Sequence, residues 1–142
     1  MAKRATTDTI VIHCTQTPPT MDIDVDKVTQ WHKERGFDTI GYHFLIKRDG
    51  TLQEGRQQDE VGAHAVAVNG NSIGIALAGG GTPSMGWENN FAPIQFETLK
   101  TIIMKLKKDY SIEKVIGHYQ VDDKKECPSF DVPKWLEKNN LT

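Results

Sequence analysis

Near the C-terminus, the stretch Lys124-Lys125-Glu126-Cys127-Pro128-Ser129-Phe130-Asp131 sets a thiol two residues after a lysine and directly before a proline. Far upstream, His13 sits at the end of the apolar run Thr9–Cys14. His118 closes a second short run, Lys114–His118, nine residues before Cys127. Taken alone, a histidine at a strand end is more often a surface or satisfied core residue than a ligand. Two imidazoles and a thiolate together make a donor set that zinc binds well. Three protein ligands also leave the fourth position for water, the catalytic rather than the structural pattern. The spacing is not a local metal motif, so Cys14, His43 and His64 stay open as further ligands.

The frame around these residues is that of one domain. The chain has 142 residues, 37% of them hydrophobic, enough for a single core and too few for two. A net charge of −2 excludes the strongly basic balance of nucleic-acid-binding domains. The leader MAKRATTDT is followed by no apolar h-region, and no apolar run reaches membrane-spanning length. The expectation is a protein made and folded in the cytoplasm. Its two cysteines, Cys14 and Cys127, lie at opposite ends of the chain, and a reducing compartment favours free thiols or metal ligands over a disulfide. Cys14, inside an apolar run, reads as a small buried hydrophobe.

The elements that must position these groups read as an α/β domain. Thr9–Cys14 is a β-branched run, a strand buried on both faces. From Asp24, the residues Val25, Val28 and Trp31 recur at helical spacing until Gly36 ends the helix. Two β-rich runs flank Asp49-Gly50, the strongest short hairpin signal, and place Tyr42 and His43 on a strand. Ser72–Gly80 is another buried strand closed by glycines, followed by an irregular loop over 79–92. Pro93 opens a long helix with Leu99, Ile102, Ile103, Leu106 and Tyr110 on its apolar face. Lys114–His118 is a short strand, and Asp131 caps a last helix that carries Pro133 in its first turn. The predicted architecture is a sheet with helices on its faces.

Several segments together resemble a known family: DTIVIHCTQT, WHKERGFDTIGYHFLIKRDGT, VGAHA, NSIGIALAGG and KKECPSFDVPKWLEKN. They are similar to the amidase-type lysozymes of short-tailed phages, within the type-2 N-acetylmuramoyl-L-alanine amidases, a group related to the peptidoglycan recognition proteins. The likeness runs in order from Asp8 to Asn140. It implies a central mixed β-sheet flanked by helices and one Zn²⁺ per chain held by His13, His118 and Cys127. Tyr42 and Lys125 become the catalytic side chains, and His64 a substrate-binding residue lining the groove. Without the resemblance, Tyr42 reads as a strand tyrosine that packs its ring and exposes its hydroxyl, and Lys125 equally as a solvated charge beside Lys124.

The implied reaction is hydrolysis of the amide between N-acetylmuramic acid and L-alanine in peptidoglycan, by an endolysin. It would accumulate in the host cytoplasm and reach the wall once the membrane is opened. Residues 1–142 are expected to form a single catalytic domain with no separate wall-binding module, acting as a monomer without nucleic acid or membrane insertion. The resemblance also implies a second role as inhibitor of the phage's single-subunit RNA polymerase, although only MAKRATT precedes the matched segment, a shorter leader than that of the polymerase-binding relative. The rival reading is a non-catalytic module that binds wall fragments, against which the thiol at Cys127 argues. Among the remaining residues, His43 neighbours Tyr42 and reads as structural, since strand side chains alternate. His32, in the charged stretch WHKER, reads as solvated. Trp87 and Phe91 either rim a glycan groove or pack down as a satellite cluster.

Overall fold

A computed structural model describes residues 2–142. Its centre is a five-stranded sheet of β1 (Thr9–Cys14), β2 (Phe44–Ile46), β3 (Leu52–Glu54), β4 (Ser72–Leu77) and β5 (Lys114–Gly117), in the order β3-β2-β4-β1-β5. The pairings β2–β4, β4–β1 and β1–β5 are parallel and β2–β3 is antiparallel, so the sheet is mixed, as expected. Every residue of β1 and β4 is buried, which explains their unbroken apolar runs.

Alternation along the strands sorts the core onto two faces. On one face Ile10, Ile12, Ile73, Ile75 and Leu77 meet Leu99, Ile102, Ile103 and Leu106 of α2 (Pro93–Asp109). Val132 and Leu136 of α3 (Val132–Lys138) complete that cluster. On the other face Leu45, Ala76 and Ala78 pack with Ile23, Val28 and Ile40, under α1 (Val25–Glu34). His13 pairs with Ala76 and therefore belongs to the α1 face, whereas Cys14 turns to the α2 face.

Local sequence sets the helix ends. The Asp24 side chain accepts the Lys27 N–H at 2.8 Å, and the Asp131 side chain accepts the Lys134 N–H at 3.0 Å. At the start of α2 the fully buried Gln95 accepts the Ala92 N–H and donates to the carbonyls of Ala78 and Ile46, fastening the helix to the ends of two strands. The β2–β3 hairpin turns through three residues, Arg48 to Gly50, with Gly50 at φ +89° and its N–H on the Lys47 carbonyl. That is a longer loop than the two-residue turn Asp-Gly suggests, and it is the type I turn plus left-handed residue that glycine supports.

Two segments are more ordered than the sequence indicates. Val66–Asn71 forms a 3-10 turn, with the Asn69 side chain accepting the N–H groups of His64 and Ala65. The loop over 79–92 is clamped by Asn90, whose amide oxygen accepts the Gly80 N–H and whose amide nitrogen donates to the Gly81 carbonyl. No helix is long and apolar enough to cross a membrane, among the described residues.

Candidate metal centre and groove

The parallel strands all end at one edge of the sheet, and the polar residues gather there. In open α/β sheets, ligands bind in the crevice beyond the carboxyl ends of the strands. His13 occupies the penultimate position of β1, His118 follows β5 directly, and Cys127 lies in the loop leading to α3. One ligand atom from each of these three residues lies within 4.8 Å of the others. They are the one such His, Cys or carboxylate cluster among the described residues.

Each of the three candidate ligands sits in different surroundings. The sulfur of Cys127 accepts the Cys14 N–H at 2.9 Å, so the last residue of β1 ties the distant loop to the strand. Gly117 and Pro128 touch closely enough that a Cβ on the glycine would lie 2.9 Å from the proline ring, which fixes the loop against β5. His118 has its Nε2 3.9 Å from a carboxylate oxygen of Asp122. The ring of His13 lies 4.5 Å from that of His118 and 5.0 Å from that of Tyr42.

Burial decides the charge states here. It holds His13 well below the ordinary histidine range, and it lowers His118 against the opposing pull of Asp122. The same burial pushes the Cys127 thiol well up. Neutral imidazoles are ready ligands; a buried thiol needs a cation to favour its thiolate. A site built this way has most to gain from a divalent ion.

Around the cluster runs a groove of about 690 Å³, lined by Tyr42 and Lys125 as well as by His13, His118 and Cys127. Tyr42 precedes β2 rather than lying within it, although Tyr42 and His43 still accept ladder bonds from Arg56 and Gly55. Its ring stands between His13 and His32. Burial raises its phenol, so the hydroxyl stays protonated. Lys125 is exposed on the rim and also lines a second hollow of about 430 Å³ with Trp87, Tyr119 and Phe130.

His64 also reaches the groove, but both of its ring nitrogens bond within the protein: Nδ1 lies 2.8 Å from His13 Nε2 and Nε2 lies 3.1 Å from the Ser72 hydroxyl. His43 is fully buried; its Nδ1 accepts the Gly74 N–H, in keeping with a structural role. His32 differs from expectation. It is 6% exposed rather than solvated, its Nδ1 accepts the Gly41 N–H at 2.9 Å, and burial lowers it to about 4. Its spacing of four from Val28 marks that inward face, a signal outweighed by its charged neighbours. Trp87 and Phe91 part company: Trp87 lines the groove, while Phe91 packs edge-on against Phe96 and Phe130. Cys14 is buried, as a small hydrophobe would be, though its N–H serves the site.

The groove also depends on residues with no chemistry of their own. A Cβ on Gly74 would come within 2.6 Å of the His64 ring, and one on Gly62 within 2.6 Å of His64 and 2.8 Å of His43. These glycines make room for rings, and no periodicity in the sequence announces it.

Comparison with known proteins agrees with this geometry. The sequence profile of the family described as N-acetylmuramoyl-L-alanine amidase matches residues 3–130. The endolysins of Klebsiella phage KP32 and Escherichia phage T7 are 44% and 42% identical to the chain over 139 residues, 98% of this chain and 91% of each of theirs. Among solved structures, the N-acetylmuramoyl-L-alanine amidase LysC from Clostridium intestinale superposes with a TM-score of 0.81 at 32% identity, covering 96% of this chain and 87% of its own. A point mutant of Drosophila PGRP-LB in complex with tracheal cytotoxin superposes at 0.79 with 26% identity, over 96% of this chain and 83% of its own. With the profile spanning most of the sequence and phage endolysins matching nearly all of it, the chain belongs to the N-acetylmuramoyl-L-alanine amidase family.

Proposed function

We propose that this chain is a zinc-dependent phage endolysin that hydrolyses the amide between the lactyl group of N-acetylmuramic acid and L-alanine in peptidoglycan. The observation that carries the reading is the convergence of His13, His118 and Cys127 at the floor of a groove walled by Tyr42 and Lys125. The donor set fits zinc: two imidazoles and one thiolate are among its preferred ligands, and three of them leave a position free. Peptidoglycan as substrate is supported by the family and by the neighbour complexed with tracheal cytotoxin.

When bound, zinc supplies Lewis acidity, which makes water a nucleophile near neutral pH and polarises a carbonyl. The protein's own groups do the rest. Lys125, exposed at the rim, brings a mobile positive charge to the carbonyl oxygen as it becomes an oxyanion, and one such well-placed donor contributes roughly 3–4 kcal/mol. Tyr42, kept protonated by burial, acts as a hydrogen-bonding group that positions water or the intermediate rather than as a base. His13 and His118, kept neutral by burial, would present lone pairs to the ion. Trp87 offers an apolar face on which a sugar ring of the glycan rests.

The protein acts after synthesis in the host cytoplasm, once the membrane is opened. A turbidity assay on purified peptidoglycan tests the reading: clearing should stop with a chelator and return with zinc. Clearing that is indifferent to both would overturn it, and binding without clearing would leave the wall-binding module as the answer. The second implied role, inhibition of the phage RNA polymerase, rests on the resemblance alone. The residues ahead of β1 are pinned to the 58–61 segment, with the Arg4 guanidinium on the carbonyls of Gln58 and Glu60. A pull-down with the cognate polymerase decides that role, absence of a complex at micromolar concentration being the negative result.

A further inference from the structure

His64 is 8% exposed, and its ring forms the middle of a continuous hydrogen-bonded chain. The chain runs from His13 Nε2 to His64 Nδ1 at 2.8 Å, and from His64 Nε2 to the Ser72 oxygen at 3.1 Å. It ends at the carbonyl of Val68, 2.7 Å from the same Ser72 oxygen. A carbonyl can only accept, so its end of the chain dictates every proton in it. The Ser72 hydroxyl donates to Val68, and its oxygen must then accept from His64 Nε2–H. His64 Nδ1 is left with a lone pair, which accepts from His13 Nε2–H. The remaining nitrogen of His13, Nδ1, is therefore unprotonated and free to serve the cluster with His118 and Cys127.

The ring that relays this order is held in a built slot. Gly62 and Gly74 approach it so closely that a Cβ on either would lie 2.6 Å from a ring atom. Asn69 pins the backbone from His64 to Ala65. Ser72 and Gly74 lie on the same face of β4 as Ala76, the partner of His13, so the strand presents small residues wherever the ring must lie.

We propose that His64, backed by Ser72, is a positioning residue for the metal centre: it fixes the tautomer and the orientation of His13. This rests on the reading of His13 as a zinc ligand. It gives His64 a task distinct from contact with substrate, since neither of its nitrogens is free to reach into the groove. Partners that orient ligating histidines are worth about 10- to 100-fold in metal affinity or activity.

Competition with a chromogenic chelator, at neutral pH on intact protein, measures zinc affinity in the wild type and in three variants. His64→Ala should bind zinc about 10- to 100-fold more weakly. His64→Asn, whose side-chain oxygen can stand where Nδ1 stood, should recover most of that loss, and Ser72→Ala should fall between. Nitrogen-15 spectra of the zinc-free protein should show His13 as the Nε2–H tautomer in the wild type and the Asn variant. A mixture of tautomers is expected in His64→Ala. A substrate-contacting His64 predicts the reverse, with zinc affinity unchanged and KM raised in all three at saturating zinc. That result, or equal affinity in a folded His64→Ala, overturns the proposal while leaving the zinc reading intact. If His64→Ala does not fold, unchanged zinc affinity in Ser72→Ala overturns it instead. A wild type that binds no zinc overturns the zinc reading itself, and this inference with it.

Discussion

Two kinds of residue at the site make separable predictions. In the proposed metal site Cys127 is the ligand whose burial disfavours its charged form without a cation, so its loss should abolish that site outright. Cys127→Ala is expected to lose zinc and hydrolysis together, and elemental analysis beside the turbidity assay checks both. Lys125 is exposed, and in the proposed mechanism it acts on charge alone. Lys125→Ala should keep full zinc content while kcat falls about 100- to 1,000-fold, the cost of one lost oxyanion donor. Loss of zinc in that variant would remove Lys125 from the catalytic role. Much of the candidate site is legible at this scale, since the residues that gather in the groove are of rare and chemically committed types. His32 misleads because its charged neighbours hide an inward position, and the bonding of His64 to His13 is invisible in the sequence because the two lie 51 residues apart.

At the scale of elements, the sequence announces strands and helices well wherever one local rule governs them. The unbroken apolar runs of β1 and β4, Asp24 and Asp131 as caps, and Pro93 opening α2 all act through neighbours in the chain. What stays hidden depends on contacts across the fold. Examples are Gln95 fastening α2 to two strand ends and Asn90 clamping the loop over 79–92. Gly74 belongs with them, since its reason is the ring above it rather than its own φ. Gly74→Ala should therefore cost about 1–3 kcal/mol, the usual penalty of overpacking a tight core. Thermal unfolding measures this, and an unchanged Tm would mean that the ring has room to move aside. By contrast Asp131→Ala, at the cap of α3, should cost about 1 kcal/mol and leave zinc content unchanged.

For the whole molecule, the mixed sheet does two jobs: it hides a core on each face and brings the ends of its parallel strands to one edge, where the groove opens. The price is a set of buried neutral histidines. His43 is lowered by burial to about 4 against an ordinary value near 6.5, and His32 likewise to about 4. The unfolded chain therefore binds more protons than the folded one between those values. Stability from these groups is complete above about pH 6.5 and drains away as pH falls toward 4. For His43 alone the loss is about 3 kcal/mol at the low end. Chemical denaturation across this window should show stability rising with pH, and a flat profile would mean that His43 takes up its proton as readily folded as unfolded.

The most direct measurement counts newly exposed amino groups on purified peptidoglycan while metal-free protein is titrated with zinc. The account predicts that release rises with zinc, saturates at one ion per chain, and leaves L-alanine as the new N-terminal residue. Release that ignores zinc, or new ends that are reducing sugars instead of L-alanine, would contradict it.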